Sequence, residues 1–422
     1  MKHFIFAVLL AYCVYARSED DEIFAKHKGK TGFIKVTSLK DQLFYWFFPS
    51  QGNPNTDPLV LWLTGGPGCS SEIAIFIENG PMNLNPKNLS VSVNPYSWNK
   101  VANVLYVDQP IGTGYSNPVF SPYDNNVTQV SEHLYNFLVG WLAKYPSFKK
   151  RPLFIIGESY AGHYIPAASA YIVKRKHSDI NFVSFGIGNG LIDASLQYPM
   201  YATYALSKRL ISESTYNSVK KRFAQCRTDI ELGDTVEAWY DCQGGLIQIL
   251  GYDRLRFNIY DVRQPCSVPP LCYNLSYVGE FLEQTKIVKQ IGVRGKSWSA
   301  CNVEVHEAMA FDWFINLRDD IAFLLDNGYP GLMYYGEEDF ICNWMGGLEV
   351  ANNIEWKGRE KFQNASFQKW ENFGEFKQEG TLTFIKVYKS GHMVPMDTPE
   401  AALNLFERFL KGWALPTRLA YV

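Results

Sequence analysis

The sequence predicts the α/β class: a mostly parallel central sheet with helices on both faces, interrupted by an inserted, disulfide-stapled cap. Short apolar runs recur and end in Gly, Asp or Ser, as strands buried on both faces of a parallel sheet do. Helical apolar spacing alternates with them. One stretch, from about Asp193 to about Ala310, breaks this rhythm; it is richer in charge and cysteine and includes Pro269-Pro270.

The predicted strands run from Leu59 to Leu63, Val104 to Val107, Leu153 to Ile156, Phe182 to Ile187, Gly331 to Tyr335 and Phe384 to Tyr388. They lead into Thr64-Gly65-Gly66, Asp108, Gly157-Glu158-Ser159, Gly188-Asn189-Gly190, Gly336-Glu337-Glu338-Asp339 and Ser390-Gly391-His392. In open α/β sheets the site lies beyond the carboxyl ends of the strands, so these polar ends hold the candidates. Val127, Val130, Leu134, Phe137, Leu138, Trp141 and Leu142 follow the spacing of one helix face. A last helix is expected from Thr398-Pro399-Glu400, with threonine as cap and Gly412 past its end.

The chain has 422 residues, 47% of them hydrophobic, which supports a large core. We divide it into a leader (1–16), a first core segment (17–192), the cap (193–310) and a second core segment (311–422). The leader has Lys2 and His3, an apolar run from Phe4 to Val14, and a small-residue cleavage pattern at Val14 and Ala16. The run is too short to span a bilayer, so entry into the secretory pathway without a membrane span is expected. Sequons at Asn88, Asn126, Asn274 and Asn364 agree with that route. Once Cys13 leaves with the leader, an odd set of cysteines remains, so one thiol is unpaired or pairs between chains. A net charge of −2 without any basic run excludes nucleic acid as a partner.

Gly157-Glu158-Ser159-Tyr160-Ala161 follows a strand and opens a helix, the context of a nucleophile elbow in an α/β-hydrolase fold. The bland alternative is a serine that merely caps the helix. In this fold the acid and then the histidine follow the serine. His163 lies one helical turn beyond Ser159, His177 sits at a charged helix end, and His306 precedes the late strand ends. His392 is left, in a glycine-marked loop after a late strand, and Asp339 leaves a strand end between the two. Ser159, Asp339 and His392 are therefore the expected nucleophile, acid and base. The oxyanion donors are expected from the backbone of Tyr160 and Gly66. The loop Thr64–Gly68 lacks the Gly-Lys-Ser/Thr ending of a phosphate loop, which excludes nucleotide binding.

Several segments together resemble the serine carboxypeptidase family, in motif nearest its plant-type branch: Leu-Trp-Leu-Thr-Gly-Gly-Pro-Gly-Cys-Ser-Ser ending at Ser71, Val-Asp-Gln-Pro-Ile-Gly-Thr-Gly-Tyr-Ser ending at Ser116, Gly157–Gly162, Asp339–Trp344 and Gly391–Pro395. The resemblance runs from about Thr31 to about Gly412 and implies the same triad. It also implies that Thr64, Gly65, Glu78 and Glu158 hold the substrate's C-terminal carboxylate, and that Tyr160, Tyr273, Trp313, Ile341, Cys342 and Met393 form the pocket. Thr64 departs from the asparagine usual in the family. The implied disulfides are Cys69–Cys301 and Cys266–Cys272, leaving Cys226 and Cys242 for each other, with Cys342 a free thiol, either inert or reactive.

The activity implied is release of hydrophobic C-terminal residues from peptides or proteins at acidic pH through an acyl-enzyme, in a lysosome or vacuole, alternatively outside the cell. Acyl transfer on the same machinery, and protection of a partner enzyme, stay open as alternatives. No cofactor or metal is expected, and whether the protein forms a homodimer is left open.

Overall fold

The computed structural model describes residues 19–118, 122–251 and 254–412; the expected leader lies outside them. Twelve strands alternate with helices: β1 Lys30–Lys35, β2 Gln42–Phe48, β3 Leu59–Leu63, β4 Met82–Leu84, β5 Val91–Val93, β6 Asn103–Val107, β7 Pro152–Glu158, β8 Asn181–Gly188, β9 Gly331–Gly336, β10 Gln368–Trp370, β11 Gly374–Glu379 and β12 Leu382–Val387. β4 and β5 form a separate hairpin. The other ten make one sheet in the order β1-β2-β6-β3-β7-β8-β9-β12-β11-β10. The six central strands, β6 to β12 in that order, pair in parallel. The flanking strands pair antiparallel. This is the α/β-hydrolase arrangement.

Unbroken apolar strands are sorted by the two-residue period of the pleat. Leu59, Leu61 and Leu63 pack on one face with helices Val127–Lys144 and Ala161–Arg175. Val60 and Trp62 point to the other, against Phe406 and its neighbours on helix Pro399–Leu410. The strands of this sheet that the sequence reading did not anticipate, β1, β2, β10 and β11, lie toward its two edges. β11 (Gly-Glu-Phe-Lys-Gln-Glu) is half solvated and polar, so it lacks the apolar run that marks a central strand. The last helix starts at Pro399 as expected, but Thr398 does not cap it with its side chain. Its hydroxyl donates backwards to the Val394 carbonyl at 3.2 Å.

Between β8 and β9 the described chain is helical or irregular, from helix Ala194–Ser207 to helix Arg318–Asp326. Helices Glu213–Leu232 and Thr235–Leu250 pack together over a third apolar cluster that includes Phe223, Leu246 and Phe340. Disulfides join Cys69 to Cys301, Cys226 to Cys242 and Cys266 to Cys272; Cys342 is free and buried. Among the described residues no helix is long and apolar enough to cross a membrane.

Candidate active site

Ser159 sits at the turn from β7 into helix Ala161–Arg175, with φ of 67°, a left-handed conformation unusual for a residue with a side chain. Neighbouring backbone holds it there: its N–H donates to Gly188 at 3.0 Å and its carbonyl accepts from Leu191 at 3.1 Å. Gly157 is required because a Cβ there would run into the Leu63 carbonyl oxygen. Ala161 takes the position of the second glycine of the elbow and fits, fully buried. Ser159 is not the helix cap: that position is held by Tyr160, whose side chain makes no capping bond.

The other strand ends converge on the same place. Asp339 follows β9 and is fully buried. Its Oδ2 accepts from His392 Nδ1 at 2.7 Å, from Asn189 Nδ2 at 2.8 Å and from the Cys342 N–H at 3.3 Å. Asn189, just past β8, also accepts from the Gly336 N–H at 3.1 Å, so it ties the acid to the end of β9. His392 follows β12; its N–H donates to the Tyr260 carbonyl at 2.8 Å and its ring meets the Tyr260 ring edge-on at 5.1 Å. The imidazole is thus fixed in tautomer by Asp339 and in position by the segment above the sheet.

The loop after β3 lies against the elbow. A Cβ on Gly65 would collide with the Tyr160 nitrogen and the Ser159 side chain. This close approach brings the Gly66 and Tyr160 amides to the neighbourhood of the serine. Thr64 keeps its hydroxyl on the cavity wall, where it accepts from the Trp62 indole at 3.0 Å and retains its own proton for donation.

A cavity of about 410 Å³ opens above Ser159. Thr64, Gly65, Glu78, Glu158, His392, Tyr273 and Met393 are on its wall. Glu78, which ends helix Glu72–Ile77, and Glu158, which ends β7, are hydrogen-bonded to each other and almost completely buried. Burial pushes Glu78 up to about 7. Glu158 is raised well above the ordinary range by burial and then by the neighbouring Glu78 charge. The pair therefore holds a proton through mildly acidic pH.

Four residues expected in the pocket are not on this wall. Trp313 packs on Tyr160 with ring centres 5.3 Å apart and donates its indole N–H to Tyr198 at 2.8 Å. The Ile341 carbonyl accepts from the Tyr201 hydroxyl at 2.6 Å. Cys342 is buried beside Asp339, and burial pushes its thiol well up, so it is neutral and favours the inert alternative. Tyr160, also expected in the pocket, stacks on His163 at 4.4 Å. His163 itself bonds the Leu191 carbonyl at 2.7 Å, and burial pulls it down to about 4. It is a neutral core histidine.

Among the described residues the one acid, thiol and imidazole group that could hold a metal is Asp339, Cys342 and His392. Its acid and imidazole are already hydrogen-bonded and its thiol is protonated, a poor donor set for a cation. Of the sequons, Asn88, Asn274 and Asn364 are exposed. Asn126 is half-buried and caps helix Val127–Lys144, accepting from the Gln129 N–H at 2.9 Å.

A serine in a strained elbow, a buried acid–imidazole pair and a cavity floored by two glutamates agree with what comparison gives: residues 20–412 match the serine carboxypeptidase family model. The chain belongs to the serine carboxypeptidase family. It is a peptidase of the hydrolase class. It is similar to a serine carboxypeptidase-like protein of Oryza sativa subsp. japonica, 40% identical over 404 residues, covering 90% of this chain and 92% of that one. Serine carboxypeptidase 3 of Hordeum vulgare is 39% identical over 403 residues, covering 90% and 77%. Among solved structures, a prohormone-processing carboxypeptidase from Saccharomyces cerevisiae superposes with a TM-score of 0.81 at 26% identity, covering 90% of both chains.

The serine carboxypeptidase motifs were visible in the sequence, but two supports of the site were not. Asn189 was noted only as part of a glycine-marked strand end, and nothing local tells that it bonds an acid 150 residues away. Tyr260 lies in a stretch without periodicity, and only the fold brings it over His392.

Proposed function

We propose that this serine carboxypeptidase releases C-terminal, hydrophobic amino acids from peptides and proteins at acidic pH by way of an acyl-enzyme. Ser159 Oγ attacks the carbonyl of the last peptide bond while His392 takes its proton, and Asp339 stabilises the imidazolium. The Gly66 and Tyr160 N–H groups bind the oxyanion. His392 then protonates the leaving amine, the C-terminal amino acid departs, and water attacks the Ser159 ester with His392 again as base.

The observation that carries the exopeptidase reading is the Glu78–Glu158 pair beside Ser159 on the cavity wall. A protonated pair can donate to a peptide carboxylate, with Thr64 and Gly65 completing the grip. An ionised pair would repel it. The apolar wall at Ile73, Tyr273, Leu275 and Met393 supports a hydrophobic leaving residue. Acyl transfer to a small molecule is the second reading, favoured by Thr64, whose hydroxyl is partly engaged by Trp62. A secretory, lysosomal or vacuolar location fits the disulfides and the exposed sequons.

The test is release of the last residue from an N-blocked dipeptide such as blocked Phe-Leu, with the Ser159→Ala protein alongside. We expect free amino acid from the wild type. Ser159→Ala should lose at least about 10⁴-fold in kcat with unchanged thermal unfolding. Substantial turnover by a well-folded Ser159→Ala protein would remove the triad.

A further inference from the structure

His306 has no part in the chemistry above, yet it lies on the wall of the same cavity. It belongs to helix Val303–Ala308, which begins just after Cys301. The Cys69–Cys301 disulfide and the bond from the Asn302 N–H to the Gly68 carbonyl at 2.9 Å pin that helix against the loop after β3. His306 and Pro67 of that loop both line the cavity, and the His306 ring meets the Trp313 ring at 5.6 Å and 61°. The Trp313 ring and the pinned helix hold the imidazole in place. The residue is half-buried, and the wall around it is apolar, from Ile73, Leu271, Leu275 and Val303. Apart from Glu78, Glu158 and His392, it is the one Asp, Glu, Lys, Arg or His on this wall.

We propose that His306 is a specificity-determining residue that, with its ring protonated, receives the carboxylate of a C-terminal glutamate or aspartate side chain, adding an acidic class to the hydrophobic leaving residues. This rests on the exopeptidase reading, which puts the last residue of the peptide in this cavity. The cationic ring carries a full charge and two N–H groups for the side-chain carboxylate. The neutral ring has one N–H and no charge, so it loses the attraction that sets an acid apart from its amide. Burial lowers the ring's affinity for a proton, so in the free enzyme it charges only on acidification. A bound carboxylate favours the charged form. The groups that bear on it are Glu304 and Glu307 on its own helix, Asp312 on the following turn, and Glu78, Glu158 and His392 across the cavity. Glu304 is engaged by the Tyr123 hydroxyl and Asp312 by the Val127 N–H. Ionisation of Glu78 and Glu158 at higher pH also repels an acidic side chain, so the test must separate their effect from that of His306.

The test compares kcat/KM for two N-blocked dipeptides that differ only in ending with Glu or Gln, on the whole enzyme at pH 5 and pH 7. The ratio cancels whatever both substrates share at the triad and at the main-chain carboxylate. In the wild type we expect the Glu-to-Gln ratio to be about two- to fivefold higher at pH 5 than at pH 7, the size of a partly exposed ion pair. His306→Gln should lose that rise, and His306→Lys should hold the ratio high at both pH values. A flat wild-type ratio, or an undiminished rise in His306→Gln, overturns the assignment. Blocked Phe-Leu is run in parallel on the wild type. If it is cleaved while the ratio is flat, only His306 is wrong; if it is not cleaved, the exopeptidase reading falls and the assignment with it.

Discussion

Helix Glu72–Ile77 carries one buried carboxyl pair at each end, and the two differ in what surrounds them. At its start Glu72 meets Asp108, both fully buried. The Ser70 hydroxyl and the Trp298 indole donate to Glu72, and the Ser71 and Tyr115 N–H groups donate to Asp108. At its end Glu78 meets Glu158, and among the described residues neither side chain receives a donor beyond the other. All four carboxyls are raised, first of all by burial. The difference lies in the donors. The first pair receives its donors from inside and braces the loop after β3. The second faces the cavity with its hydrogen-bonding capacity unspent, the condition of a binding site.

The largest expected effect sets the two pairs apart by stability. Asp108→Ala strands two buried N–H groups and should lower unfolding stability by about 3 kcal/mol. Urea denaturation measures it; a variant as stable as the wild type but with altered KM would erase the distinction. Next is binding. Glu158→Ala should raise KM for a blocked dipeptide by about ten- to hundredfold, as expected for a lost bond to a charged group, while an ester or amide substrate without a free carboxylate is little affected. In the wild type the peptide KM should climb between pH 5 and 8 as the pair loses its proton, and the ester KM should not. A peptide KM flat over that range would count against the shared proton. The smallest effect is the pH dependence of stability. An unfolded glutamate ionises near 4.3, whereas folded Glu78 holds its proton to about 7. The folded state therefore binds more protons in that window, and stability falls as pH rises through it. Glu78→Gln should lose less stability than the wild type between pH 5 and 7, by about 1 kcal/mol. Thermal unfolding at the two pH values decides it.

The central strands were legible because a strand buried on both faces must be apolar throughout, and Leu59–Leu63 and Val104–Val107 are. Ser159, Asp339 and His392 stood out in the sequence because each follows such a strand at a turn marked by glycine or acid, and the structure joins the last two at 2.7 Å. The Glu72–Asp108 pair was not, since a glutamate at the start of a helix reads as ordinary favourable charge near its N-terminus. Its burial depends on Trp298, more than two hundred residues away. His306 was set aside as base because it precedes the late strand ends. That exclusion says nothing about substrate contact, which depends on a disulfide pairing that spacing alone does not determine. Trp313 was expected on the cavity wall and is not on it, because its ring is taken up by Tyr160 and its indole N–H by Tyr198.

The Asn189 bridge has a consequence for how this chain is built. The chain leaves the sheet at the end of β8, and after the helical stretch that begins at Ala194 it returns in β9. These two strands are neighbours, and Asn189 closes the gap between them by bonding both Asp339 and the Gly336 N–H. The excursion is therefore a loop with its neck tied at Asp339. The far helices, Glu213–Leu232 and Thr235–Leu250, take no part in that tie, and they reach the neck only through the apolar cluster they share with Phe340. What the excursion adds to the wall of the cavity above Ser159 comes from its returning part, from Tyr260 to His306, and not from those helices.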